Sequence, residues 1–389
     1  MFSRLYGLLG QAMRNRMLPF DNNIQAFLAL VRAGLWEQDV QLASLGQIDF
    51  NELYRLAEEQ SVVGLFSAGI EHVIDTKVPK DVALNLAGAT IQIEQRSTAM
   101  NAFIADIVER MRTVGIYTLL IKGQGVAQCY ERPLWRACGD IDFLLSNDNY
   151  KKAKSFLMPL ALHIEQEIDK KHLALTIDQW IVELHGDLHG GLSHRIDCVL
   201  DSIQGDIFYG GNVRSWQNGK TQVFQPKADQ DAIYIFTHIL QHFFRGGIGL
   251  RQVFDWCRLL WTYREKLDEA LLEKRLKSMG LMSEWKAFSA FVVDYLGMPT
   301  EAMPLYSTDA KWKRKGEKIC GFILEVGNFG HNRDSSYYKK YPYIIRKIYS
   351  FGRRLGDLTR HARIFPIDSI RFFPNIVYNG LRSAVKGEG

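Results

Sequence analysis

The chain has 389 residues, 47% hydrophobic and 23% charged, an ordinary globular balance over a length that suits two or three packed units. No apolar run is long enough to span a bilayer, and Arg4, Arg14 and Arg16 precede no apolar stretch with a small-residue cleavage site, so neither a span nor a signal peptide is expected. Five scattered cysteines without a Cys-x-x-Cys pair argue against a disulfide framework or structural zinc and point to a reducing, cytoplasmic setting.

In chain order, Asp21 or Asn22 can cap a helix whose apolar positions Ile24, Phe27, Leu28 and Val31 keep the 3.6-residue period. Helical patterns continue through 50–59 and 90–112. The β-formers of 115–121 predict a strand, Gln124–Tyr130 a short helix ended by Pro133, and 140–145 a second strand. A helix over 149–158, capped by Asn147 or Asp148, leads to three strands at 163–168, His172–Ile177 and Trp180–His185. From Pro226 the pattern is helical again. Ala232, Ile233, Phe236, Ile239, Leu240 and Phe243 form one stripe, 250–262 the next helix, and 268–296 hold more. The expected fold class is α+β, a small mixed β-sheet core with helices on one side, flanked by N- and C-terminal helical regions.

The chemistry gathers in the middle. Asp140 and Asp142 are two residues apart on a strand and so project to one face. Carboxylates so placed in a half-buried setting repel unless a cation lies between them, which is how phosphoryl-transfer sites hold magnesium. Glu183, an acid inside the apolar run Trp180–Leu184, is costly unless its charge is used or paired. It could complete the metal site, take a proton from an acceptor, or form a structural ion pair. Lys122 ends the preceding strand and would neutralise a phosphate or pair with one of the aspartates. Gly123 and Gly125 allow the backbone close to phosphates. Arg136 could clamp a triphosphate or shield the site.

Histidines offer a second theme. His185 shares a strand face with Glu183 and belongs near the site. His189, His194 and Asp187 would join it in a zinc cluster only on a rigid frame, whereas Gly186, Gly190 and Gly191 make a loop. His238 and His242 lie at i, i+4 on one helix face without the glutamate of a metalloprotease. They read as core-edge residues with a minor share in the cleft wall, beside Arg245, Arg251 and Asp255.

Leu120-Ile121-Lys122-Gly123, Arg136-Ala137-Cys138-Gly139-Asp140-Ile141-Asp142 and Val182-Glu183-Leu184-His185 together resemble the active site of the DNA polymerase β-like nucleotidyltransferase superfamily. The wider phrasing resembles a bacterial nucleotidyltransferase-like family often encoded beside surface-polysaccharide genes, with Leu56–Phe66 as its upstream helix and Gly249–Asp255 as its downstream one. The likeness spans roughly residues 25 to 270. It departs at Gln124, where the superfamily has a small serine or glycine, and in a longer gap from Gly123 to Asp140.

The resemblance implies a Mg2+ (or Mn2+) dependent enzyme that moves a nucleoside monophosphate from a nucleoside triphosphate to a hydroxyl of a small-molecule or glycan-pathway acceptor. Asp140, Asp142 and Glu183 would hold metal and act in catalysis; Lys122, Gly123, Gly125 and Arg136 would bind nucleotide; His185, His238 and Arg251 would line the cleft. Rival readings are a degenerate nucleotide-binding regulator of the same fold and a nucleic-acid-directed transferase. The chain then divides into a helical region 1–112, a nucleotidyltransferase core 113–226, a helical region 227–330 and a tail 331–389.

The formal net charge of +5 belongs to that tail. Residues 335–389 hold 11 Lys and Arg against 3 Asp and Glu, leaving 37 against 40 elsewhere. Its aromatics (Tyr337, Tyr338, Tyr341, Tyr343, Tyr349, Phe351, Phe365, Phe372, Phe373 and Tyr378) admit three readings: wrapping onto the body, peripheral contact with an anionic membrane, and, less favoured, nucleic-acid binding.

Overall fold

The computed structural model describes residues 20–167, 171–211, 213–328, 356–372 and 374. Helix α1 (Asn22–Trp36) starts where the sequence places it: Asp21 Oδ1 accepts from the Ile24 N–H at 2.8 Å. Helix α2 (Phe50–Glu59) is capped in the same way by Asp49. Helix α3 (Val63–Glu71), absent from the sequence reading as a separate element, lies against α1 with backbone touching backbone. A Cβ on Gly34 would collide with the Leu65 carbonyl oxygen, and one on Gly69 with that of Leu30. Helix α4 (Lys80–Thr113) begins ten residues before its expected start and buries Met100, Ile104, Ile107, Val108 and Met111 along one stripe.

Five strands form the sheet: β1 (Leu119–Ile121), β2 (Asp140–Leu144), β3 (His163–Ile164), β4 (His172–Ile177) and β5 (Trp180–His185). Their order is β1-β2-β5-β4-β3, with β2 and β5 parallel and the other pairs antiparallel. β1 is shorter than the expected 115–121. In its register Leu119 meets Leu144, so Tyr117 would fall opposite Ser146, where β2 has ended and helix α6 (Asn147–Leu157) is about to start. β3 also stops early, after pairing with Leu175 and Thr176. Between β1 and β2 lies the short helix α5 (Gly123–Ala127).

The two faces of this sheet differ. Ile141, Phe143, Leu173, Leu175, Val182 and Leu184 pack with α4 and α6 in one apolar core. By alternation Asp140, Asp142, His172, Glu183 and His185 occupy the other face. The structure thus has the expected mixed sheet in a largely helical body.

Also unread in the sequence were helix α7 (His194–Tyr209) and the hairpin of β6 (Arg214–Asn218) with β7 (Thr221–Gln225). The hairpin turns through Gly219-Lys220, between the paired Asn218 and Thr221, with Gly219 at φ +61°. Helices α8 (Ala228–Arg245), α9 (Leu250–Tyr263), α10 (Glu269–Met279), α11 (Met282–Leu296) and α12 (Ala310–Val326) follow. Their core of Phe236, Phe243, Trp256, Trp285 and Phe288 is continuous with Phe27 and Phe66 of the N-terminal helices. Among the described residues no helix is long and apolar enough to cross a membrane.

Of the tail, 356–364 and 366–372 are helical, and Phe365 and Phe372 are buried against Phe243 and Phe244. These two aromatics wrap onto the body; Tyr337, Tyr338, Tyr341, Tyr343, Tyr349, Phe351, Phe373 and Tyr378 lie outside the described residues.

The glycine contacts give a paired expectation. Gly34→Ala should lower stability by about 1–3 kcal/mol, because α1 and α3 must part to admit a methyl group. Gly88→Ala, in the exposed part of α4 with nothing within 4 Å of the new carbon, should raise it by roughly 0.8 kcal/mol. Urea midpoints of the two variants check both signs.

Candidate active site

The polar face of the sheet is built by register. β2 and β5 run parallel with Asp142 beside Glu183, and β5 pairs with β4 so that His185 meets His172. Five ionisable groups from three strands therefore share one patch: Asp140, Asp142, Glu183, His185 and His172.

Lys122 reaches this patch through a strained turn. Its φ is +56°, and Gly123 follows at +47°. A side chain in such a conformation costs about 1–3 kcal/mol, and such strain is stored where the surroundings fix it. The Lys122 ammonium lies 3.0 Å from Asp142 Oδ1 and 5.7 Å from the centre of the Tyr234 ring. The pairing with an aspartate, one of the two readings open for Lys122, is present.

The glycines are tightly placed. A Cβ on Gly123 would lie 3.1 Å from Cys138 Sγ, and one on Gly125 2.9 Å from Gln225 Nε2. Gln225, from the unforeseen hairpin, donates to the Gly125 carbonyl at 3.3 Å. Gln124, where a small residue was expected, is buried, and neither polar atom of its side chain has a partner among the described residues.

His185 Nε2 lies 2.8 Å from Asp142 Oδ1 and 3.4 Å from Glu183 Oε2, and His172 Nε2 is 3.1 Å from the same Glu183 oxygen. The two imidazole rings stack with centres 4.7 Å apart. Charges shift accordingly. The neighbouring Asp142 carboxylate, then burial, pushes Asp140 up. Burial would also raise Asp142, but Lys122 and His185 hold it below the usual carboxylate range. Glu183 is likewise drawn down, its burial outweighed by hydrogen bonds from His172 and His185. Burial works against a charged His185, yet its bonds to Asp142 and Glu183 raise it. Asp140 alone of the three carboxylates has no ion pair within 4 Å among the described residues.

Helix α8 packs over the patch. Tyr234, His238 and His242, at i, i+4 and i+8, form one ridge, with the two histidine Nε2 atoms 3.1 Å apart. Burial, then the Lys122 charge, depresses both histidines, His242 to about 4. They are half-buried, and the charges of Lys122 and Glu183 act on both. Arg251 donates to the Ala137 carbonyl at 3.1 Å, and its charge partly offsets the rise of Asp140. Arg245 donates to the Gly191 carbonyl.

Arg136 is placed differently. Its guanidinium forms a two-pronged pair with Asp255 (3.0 and 2.6 Å), which also accepts from Tyr130 Oη at 2.8 Å, all three buried. It would reach a phosphate only by giving up this pair. Asp255, expected on the cleft wall, is an interior anchor of α9.

Sequence reasoning missed His172 and Tyr234. For His172 a signal existed: a hairpin centred on Asp178-Gln179 pairs Ile177 with Trp180, and counting outward puts His172 opposite His185. Tyr234 follows from extending the His238–His242 ridge one turn towards the N-terminus. The loop histidines stay apart from the patch: His189 pairs with Asp187 and Asp201, and His194 lies beside Cys198. The described side chains whose ligand atoms gather closely enough to grip one metal ion are His172, Glu183 and His185, all within 4.8 Å of one another. Asp140 and Asp142 are outside that group.

A Lys-Gly turn, an Asp-x-Asp strand and a glutamate on the adjoining parallel strand thus meet on one face of the sheet. Residues 46–293 match the family described as uncharacterised nucleotidyltransferase, and the chain belongs to that family. No curated protein and no solved structure matches it. Family membership supports a transferase activity of the nucleotidyltransferase type.

Two expectations follow. Asp255→Ala should cost about 3–5 kcal/mol, because Arg136 is left charged and buried without its partner, while Arg136→Met with Asp255→Leu should recover much of the loss; chemical denaturation of the two variants beside the wild type tests this. Second, a histidine depressed when folded binds its proton first in the unfolded chain. Its contribution is therefore present above pH ~6.5 and lost as pH falls towards 4. The melting temperature should drop across that window, and His242→Gln should flatten the drop.

Proposed function

We propose that the chain transfers a nucleoside monophosphate from a nucleoside triphosphate to a hydroxyl of a small-molecule or glycan-pathway acceptor. The observation that carries this reading is the juxtaposition of Asp140, Asp142 and Glu183 on one sheet face beside the strained Lys122-Gly123 turn. Asp140, raised chiefly by Asp142, marks a site where negative charge exceeds what the protein itself neutralises. Hard carboxylate oxygens suit Mg2+ or Mn2+ by their chemistry, and an ion held by Asp140, Asp142 and Glu183 together would have to draw their oxygens closer. Such an ion, when bound, supplies charge neutralisation at the phosphoryl oxygens and a lower pKa for the acceptor hydroxyl.

The chain's own groups orient and neutralise. Lys122 exchanges Asp142 for a phosphate oxygen, and the turn at Gly123 brings backbone close to the triphosphate. A Glu183 held far below its usual range is a weak base and a good ligand, which favours the metal-holding role over proton acceptance. The acceptor oxygen bonds to the α-phosphorus, the bond from that phosphorus to the pyrophosphate oxygen breaks, and the acceptor proton passes to water. His185, His238 and Arg251 wall the cleft, and Arg136 secures α9 through Asp255. A second reading, nucleotide binding without turnover, is favoured by one observation: Lys122 and His185 already engage Asp142.

Nucleoside triphosphates with Mg2+ should raise the melting temperature of the wild type by a few degrees through mass action. The Asp140→Ala, Asp142→Ala double variant should lose that rise. No stabilisation by any triphosphate, with or without metal, would overturn the reading. Stabilisation without pyrophosphate release across a panel of hydroxyl acceptors would favour the binding alternative.

A further inference from the structure

We infer that His172, Glu183 and His185 form a second metal site, selective for a transition ion of the Zn2+ class and separate from the carboxylate pair. Two imidazoles and one carboxylate converge on a single point. Both histidine Nε2 atoms address the same oxygen, Glu183 Oε2, at 3.1 and 3.4 Å. Ligand atoms about 2.1 Å from a tetrahedral ion lie about 3.4 Å from each other, so these two edges of a coordination shell are already set.

The frame is rigid. The three residues sit on the paired strands β4 and β5, in the register that puts His172 opposite His185. Strand-borne ligands hold their geometry better than loop-borne ones. The stacked rings, tilted by 26°, aim their nitrogens side by side.

Access is also provided. His172 and Glu183 are 35% and 23% exposed in their side chains, whereas Asp142 is 2% exposed. An ion therefore enters from the open side, past β4, without displacing Lys122 from Asp142. Imidazole donors suit Zn2+, Co2+ and Ni2+ and match Mg2+ poorly. The site shares Glu183 and the cleft-wall residue His185 with the nucleotidyl reading. It would place a second kind of ion beside the catalytic face, with Asp142 Oδ1, 2.8 Å from His185 Nε2, as the nearest further donor.

The probe is Zn2+ alone, titrated by calorimetry into the metal-stripped full chain, with Co2+ as a spectroscopic reporter. The wild type should bind one equivalent, and Co2+ should give a visible ligand-field band. His172→Ala, at a half-exposed position, should keep its metal-free melting temperature within a few degrees and weaken Zn2+ at least tenfold. His172→Gln, which keeps a hydrogen bond to Glu183 but offers no imidazole, should be equally weak, and Asp140→Asn should bind as the wild type does. No binding to the wild type, or unchanged affinity in either His172 variant, overturns the site. Because Zn2+ affinity is read without nucleotide, its loss or survival is distinguishable from the fate of the transferase reading.

Discussion

Asp142 and Glu183 lie side by side on neighbouring parallel strands, their Cα atoms about 5 Å apart, the spacing of strands in a sheet. Adding Asp140 two residues away makes three acids on one half-buried face. Such a cluster cannot stand without cations. Much of the surrounding structure serves that need. Lys122 tolerates a left-handed backbone to reach Asp142; His185 bridges Asp142 and Glu183; His172 steadies Glu183; Arg251 stands off Asp140. The compensation is uneven, and Asp140 receives the least of it.

The sequence disclosed what periodicity and chemistry can encode locally. β4 and β5 were legible to the residue, because Ile177 and Trp180 flank a two-residue turn between runs of β-formers. That Asp140, Asp142 and Glu183 share one face was legible because acids inside apolar strands follow the alternation of their neighbours. What stayed hidden depended on partners far along the chain. Arg136 and Asp255 are 119 positions apart, and nothing in Arg136-Ala137-Cys138 says that its guanidinium will be held by a helix from another region. β1 was read too long because a strand's usable length is set by where its neighbour stops. Gly219-Lys220 was a visible hairpin signal that went unread, and with it the support that Gln225 gives to Gly125.

The helical regions before and after the sheet are not decorations of it. Phe27 and Phe66 belong to the same apolar core as Phe236 and Trp256. The cap over the polar face of the sheet is made by α8, whose opposite side carries Phe236 and Phe243. The polar ridge Tyr234–His238–His242 is thus fixed by burial on the far side of its own helix. Part of the tail joins in: Phe365 and Phe372 close on Phe243 and Phe244. A change in how those aromatics seat would be felt at the ridge through one rigid helix.

The same packing keeps the α8 histidines uncharged beside Lys122, where a protonated imidazole would meet a like charge. Burial keeps both neutral, so the ridge offers hydrogen bonds without charge. The imidazoles on the sheet are the reverse case. His185 sits between two carboxylates that favour its protonated form, and its Nε2 bridges them. The same residue type is held uncharged on the helix and drawn towards its charged form on the strand. The difference follows from the neighbours that each backbone position supplies.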